Sequence, residues 1–233
     1  DIWSRQGPSA ALRHMAELMQ QDAQVFSSCH PFLHQLGRMA WRQLQQDQSH
    51  PSVQLLESAF SDFLGGNSSS LIGTCNAAYM HGLIEDSLKT AVASERTTAS
   101  ITEQASWIQD HICDRLANDE SYKLGAWECQ HGIGHGILQH QRVLLQRQAL
   151  EQSLEICEQS TAQTGTCRNG IWMDYWVHQG MTLDMDFEHG TDPLAICEGR
   201  GASFETYPCI GYAPTAYLLR HTRQYTNAVN VFC

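Results

Sequence analysis

Residues 150–176, LEQSLEICEQSTAQTGTCRNGIWMDYW, read as two helices joined by a turn and closed across that turn by a disulfide. Leu150, Leu154 and Cys157 recur at helical spacing before the turn, and Cys167, Ile171, Trp172 and Tyr175 recur after it. The polar run from Glu158 to Thr166 between them makes the connection of an αα hairpin. The same figure returns with Cys113 before Cys129 and with Cys197 before Cys209. The first cysteine ends a helical pattern (Trp107, Ile108, Ile112, Cys113, Leu116), and the second opens another (Cys129, Ile133, Ile137, Leu138). Closing a loop of this size stabilises a chain by about 3 kcal/mol in the chain-entropy model.

None of the nine cysteines forms a C-x-x-C pair, so zinc-ribbon, thioredoxin and haem-attachment signatures are missing. Disulfides are the leading explanation, and they predict an oxidising compartment: secreted, periplasmic or secretory-pathway lumen. The alternative is that several are reduced, buried thiols. Cys29 is expected to pair with Cys75, which leaves Cys233 odd. Asn67-Ser68-Ser69 is a glycosylation triplet in a Gly and Ser-rich loop.

Outward from the hairpins, helical periodicity runs from Leu12 through Met15, Leu18 and Met19, and from Phe32 through Leu33, Leu36, Met39 and Ala40. Ser27 to Pro31 reads as a turn between these two, with Pro31 opening the second helix and His30 near its N-cap. Further helices are expected over about 52–64, 76–92, 103–117, 130–148, 149–160, 168–179, 192–199 and 210–222. Ser100 and Glu103 supply a capping box to one of them. With no alternating strand pattern, the fold class is all-α.

The cysteines at 75, 129, 167 and 209 are 54, 38 and 42 residues apart, and those at 113, 157 and 197 are 44 and 40 apart. The expected architecture is a single domain over 1–233 of tandem disulfide-stapled helical hairpins, a degenerate repeat of about 40 residues forming a solenoid or a closed α/α ring. His-Gly follows six residues after Cys in both Cys75…His81-Gly82 and Cys129…His135-Gly136. Stapled helical hairpins in tandem resemble the architecture of secreted Sel1-like repeat proteins. Their repeat consensus is not present here, so the resemblance carries over neither function nor residues.

The chain has 233 residues, 42% of them apolar, with 14 Lys and Arg against 25 Asp and Glu. A formal charge of −11 excludes the basic footprint of a nucleic-acid binder. No stretch is apolar enough for a transmembrane helix, and the chain, starting at Asp1, reads as a mature form or an excised region.

Twelve histidines are many for this length, and several lie four residues from another ligand-type side chain. His30/His34, His81/Glu85, His131/His135 and Asp174/His178 each share one helical face. Imidazole and carboxylate at this spacing chelate one ion, and pairs on neighbouring helices build metal sites inside bundles. His30, His34, His81, His131 and His135 are therefore the expected metal ligands, with Glu85 as ligand or acid/base and Asp174 and His178 as further proton-transfer groups. Zinc, iron, copper, nickel and manganese all fit this donor set.

Gly132, Gly134 and Gly136 each cost roughly 0.8 to 1 kcal/mol against Ala inside a helix, which asks for a close backbone approach in return. The alternative is a glycine loop with the helix starting later. His14, His50, His111, His140, His189 and His221 lack this context and read as surface or ordinary core residues. Asp184, Asp186 and Glu188 read as a solvated acidic loop, and Trp172, Tyr175 and Trp176 as core. Nucleotide loop, nucleophile elbow, H-E-x-x-H and EF-hand signatures are missing.

The expected function is an extracytoplasmic metal-binding protein, leaning towards a metal-dependent hydrolase or oxidoreductase acting on a small molecule or glycan. The rival is a non-enzymatic recognition or structural module with a protein or glycan partner, its histidines bonding helices together. A third reading is a pH-sensing domain whose histidines act as switches.

Overall fold

The computed structural model describes residues 2–46, 77–91, 98–118, 123–145, 148–161, 164–182, 194–198, 203–221 and 225–232, and every regular element among them is helical. In chain order these are α1 (Ile2–Gln6), α2 (Pro8–Gln21), α3 (Ala23–Gln46), α4 (Ala77–Ala91) and α5 (Thr98–Ile108). A π turn (Gln109–Cys113) then leads into α6 (Asp114–Ala117). There follow α7 (Lys123–Leu145), α8 (Ala149–Ser160), α9 (Thr164–Thr182), a 3₁₀ turn (Ala195–Cys197), α10 (Ser203–Arg220) and α11 (Tyr225–Phe232).

Five helices pack in a row, α3 against α4, α4 against α7, α7 against α9 and α9 against α10. α2 covers α3, while α5 and α8 pack on each other and α8 also packs on α7 and α9. The two central members are buried on all sides, α4 from Ala77 to Leu88 and α7 from Cys129 to Leu138. A helix without a solvent face needs apolar residues all round, and Met80, Leu83, Ile84, Ile133, Ile137 and Leu138 supply them. Each such side chain contributes roughly 1.5 to 3 kcal/mol on leaving water. Asp86 and Ser87 of α4 survive burial because they are paired: Asp86 with Arg42 (2.8 and 3.0 Å), and Ser87 Oγ with the Ile84 carbonyl (2.8 Å).

The row is held unusually close by glycine. A Cβ on Gly82 would collide with the His34 carbonyl oxygen, and one on Gly37 with the Tyr79 carbonyl oxygen, so α3 and α4 meet backbone to backbone. The α7–α9 crossing repeats the arrangement, with Gly170 against the His131 carbonyl and Gly134 against that of Cys167. Gly132 and Gly136 face α4 instead, where an added Cβ would stand 3.2 Å from His81 Cα and 3.3 Å from Glu85 Cα respectively. This close approach offsets the helix-propensity cost of the glycines. The glycine-loop alternative is overturned, since α7 runs straight through residues 132–136.

Disulfides join Cys113 to Cys129, Cys157 to Cys167 and Cys197 to Cys209. Cys29 is buried and disulfide-bonded; its expected partner Cys75, and Cys233, lie outside the described residues. Of these three, Cys157–Cys167 alone staples a hairpin at its turn, because Cys129 and Cys209 sit seven residues into α7 and α10 rather than at their starts.

Other expectations are corrected. No turn separates Ser27 from Pro31: α3 is continuous, with Pro31 inside it. A proline there removes one helical hydrogen bond. Burial of Cys29 and Leu33 on either side of it holds the helix together. The buried stripe of α3 is Cys29, Leu33, Ala40 and Trp41, while Phe32 and Met39 face solvent. Only a 3₁₀ turn is described within 192–199, where Pro193 and Gly199 punctuate the sequence. The predicted helix over 52–64, the Asn67 triplet, His50, His189 and the acidic run at 184–188 lie outside the described residues. Among the described helices none is long and apolar enough to cross a membrane.

Candidate metal centre

The shared faces of α3, α4 and α7 gather the five histidines singled out by spacing. Ring centroids are 4.8 Å apart for His30–His34, 5.2 Å for His34–His81, 4.9 Å for His81–His131, 5.3 Å for His81–His135 and 4.8 Å for His131–His135. His34, His81, His131 and His135 are buried, and His30 is half-buried at the rim. His14 and His111 are exposed, and His140 is buried outside the cluster. The glycine crossings explain the convergence, because each imidazole has only a short stem and helices at ordinary separation would leave the rings apart.

Two groups of three ligand atoms, each group lying within 4.8 Å, could hold a metal ion: His30, His34 and His81, and His81, His131 and His135. His30 Nε2 and His34 Nε2 are 3.1 Å apart. Two nitrogens bound to one ion at about 2.0 to 2.1 Å with near-tetrahedral angles would stand about 3.1 to 3.4 Å apart.

Two carboxylates and two arginines surround the rings. Glu85 Oε2 accepts from Arg38 Nε (2.7 Å) and Nη2 (2.6 Å), while Glu85 Oε1 makes an ion-pair contact with His34 Nδ1 at 2.8 Å and lies 3.9 Å from His135 Nδ1. Asp174 repeats the plan from α9. Its Oδ2 accepts from Arg142 Nη1 (2.8 Å), and its Oδ1 lies 3.7 Å from His135 Nδ1 and 3.4 Å from Gln139 Nε2. In both, an arginine holds the outer oxygen and the inner oxygen faces His135.

Burial dominates the electrostatics. It pushes His81 and His135 well below the ordinary imidazole range, with the neighbouring rings adding to the effect, and lowers His131 to about 3 despite a hydrogen bond to Asn169 that works to raise it. These rings are neutral, the form that binds metal. Burial alone would raise Glu85, but His34 and Arg38 outweigh it and hold the carboxylate below its ordinary value. Burial raises Asp174 to about 6 despite Arg142, with Glu85 pushing the same way.

Several ring nitrogens have no hydrogen-bond partner in the protein: His81 Nδ1, His131 Nδ1, and both nitrogens of His135. A buried polar atom left unbonded costs about 1 to 3 kcal/mol, and four in one chamber call for a ligand.

Glu128, Asn169 and Arg38 belong to this surround and were not singled out by spacing. Glu128 Oε2 lies 3.0 Å from His81 Nε2, and burial lifts its carboxyl to about 7. Asn169 accepts a bond from Tyr212 Oη at 2.9 Å, extending the network to α10. The exposed Trp127 stacks on His131 at 5.0 Å. A search for ligand-type residues three apart would have found Glu128 before His131; Arg38 and Asn169 are placed by tertiary packing alone. The side chain of His178 lies outside the described residues, and Trp172 and Trp176 are core. Comparison with protein-family models, with curated proteins and with solved structures finds no match to the chain.

Proposed function

We propose that the protein binds a transition metal through His30, His34, His81, His131 and His135 in an extracytoplasmic compartment. The observation that carries this reading is that the buried, neutral imidazoles of His81, His131 and His135 have four ring nitrogens without hydrogen-bond partners. Arg38 and Arg142 take up the charges of Glu85 and Asp174, so the donors offered to an ion are mostly neutral nitrogen. That favours zinc, copper or iron over magnesium or calcium. The disulfides are compatible with an extracellular or lumenal location. The matched glycine crossings support a reading of the helices as tandem hairpins in one domain.

As an enzyme, the protein would use the ion to activate water or dioxygen at an open position, with Glu85 and Asp174 moving protons beside it. The rival, in which histidines only tie helices together, draws on the His81–Glu128 and His34–Glu85 contacts. It leaves both nitrogens of His135 without a hydrogen bond.

Elemental analysis of tag-free protein tests the proposal. Transition metal is expected in stoichiometric amount, and lost in His81→Ala or His135→Ala variants that retain helical circular dichroism. A folded, disulfide-intact protein that holds none and takes up none would refute it.

A further inference from the structure

We infer that the chamber holds two ions rather than one. This rests on the metal-binding reading and deepens it. The donors divide into a set on α3 and α4 (His30, His34, His81) and a set on α4 and α7 (His81, His131, His135), and these share only His81. His81 cannot serve both. Its Nε2 is taken up by Glu128 at 3.0 Å, so Nδ1 is the one ring nitrogen that makes no hydrogen bond within the protein. With His81 committed to one set, the other needs a further donor.

Glu85 stands where that donor is required. Arg38 engages Oε2 and leaves Oε1 2.8 Å from His34 in one set and 3.9 Å from His135 in the other, a carboxylate oxygen between the two groups. Asp174, with its outer oxygen on Arg142, presents Oδ1 to His135 at 3.7 Å. One ion takes about four to six donors. Five imidazoles with two inward carboxylate oxygens exceed that number, and an ion in the first set alone would leave His131 Nδ1 and both nitrogens of His135 buried without hydrogen-bond partners. A pair of ions held close together in one chamber is the kind of site that can clamp both the attacking and leaving oxygens of a displacement. The assignment is therefore one ion on His30, His34 and His81, and one on His131, His135 and Asp174, with Glu85 between.

The test is zinc stoichiometry. Chelator-stripped, disulfide-intact protein is equilibrated with Zn(II), dialysed, and its bound metal measured. The wild type is expected to hold about two equivalents, and His30→Ala and His131→Ala about one each. Cu(II) loading reads the pair independently: spin coupling should suppress the electron paramagnetic resonance signal in the wild type and restore it in His30→Ala. Saturation at one equivalent, or two equivalents retained in both single variants, would overturn the two-ion assignment while leaving metal binding intact. No uptake by folded wild type would remove the metal reading and this one together. His30 lies at the rim, so its variant carries the test if His131→Ala does not fold.

Discussion

Gly82→Ala asks whether backbone contact between α3 and α4 sets the distance between the imidazoles. Its Cβ would overlap the His34 carbonyl oxygen and stand 2.9 Å from the carbonyl carbon and 3.1 Å from Arg38 N. All three obstacles are backbone, so no side-chain rotation relieves them; the helices must move apart by roughly an ångström to reach ordinary contact of about 3.4 to 4 Å. Overpacking of this kind costs about 1 to 3 kcal/mol, against a helix-propensity gain of about 0.8 to 1 kcal/mol. With every obstacle rigid, the upper end applies, and the net loss is about 2 kcal/mol. For a chain of this length that is a fall in Tm of about 4 to 8 °C. Gly211 is the control, because nothing lies within 4 Å of a Cβ built there and Gly211→Ala should gain about 0.8 to 1 kcal/mol. Differential scanning calorimetry of the disulfide-intact proteins measures both. His34 supplies the carbonyl and a ring to the cluster, so Gly82→Ala should also weaken zinc binding at least tenfold by competition with a chromophoric chelator. If Gly82→Ala were as stable as Gly211→Ala and bound zinc like the wild type, the proposed spacing mechanism would be wrong.

Glu128→Ala should weaken metal binding about 10- to 100-fold with little loss of helicity, because the carboxylate fixes the orientation of His81; chelator competition measures it. Trp127→Phe should abolish most of the fluorescence quenching that Cu(II) causes in the wild type, since Trp127 stacks on His131; equal quenching in the variant would place the ion elsewhere. Stability of the metal-free protein should fall with acidification. His81, His131 and His135 have folded pKa values below the unfolded one, so their contribution is complete above about pH 6.5 and is lost as pH falls, each at about 1.4 kcal/mol per pH unit. Glu128 at about 7 and Asp174 at about 6 work in the opposite sense between their folded values and about pH 4, leaving a net loss of about 1.4 kcal/mol per unit from pH 6 to 4.5. Below about pH 4 this compensation ends, Glu85 held low by His34 and Arg38 adds its own loss, and the fall should steepen; urea unfolding at a series of pH values reads the slope.

The legible part of the fold was its class and its staples. Cys157 and Cys167 flank a polar run, and their pairing follows from that spacing alone. The continuity of α3 through Pro31 was not legible, because the penalty of an internal proline is visible in sequence while the burial of Cys29 and Leu33 that offsets it is a tertiary fact. For the same reason Phe32 and Met39 look like core and face water. At the candidate centre, residues four apart announce themselves, so the grouping of His30, His34, His81, His131 and His135 could be anticipated. Arg38, Glu128 and Asn169 could not all be, since what matters in them is which oxygen or nitrogen faces a ring on another helix.

The staple at Cys129 lies two residues before His131 on the same buried helix, which ties the maturation of the protein to the chemistry of its centre. In the newly made chain every thiol is a softer and stronger ligand for zinc or copper than an imidazole. Oxidation withdraws the paired sulfurs as competitors and fixes α7 in one step, so under the proposed metal binding, disulfide formation ahead of metal delivery would direct the ion to the histidines, whereas delivery to the reduced polypeptide would trap it on sulfur.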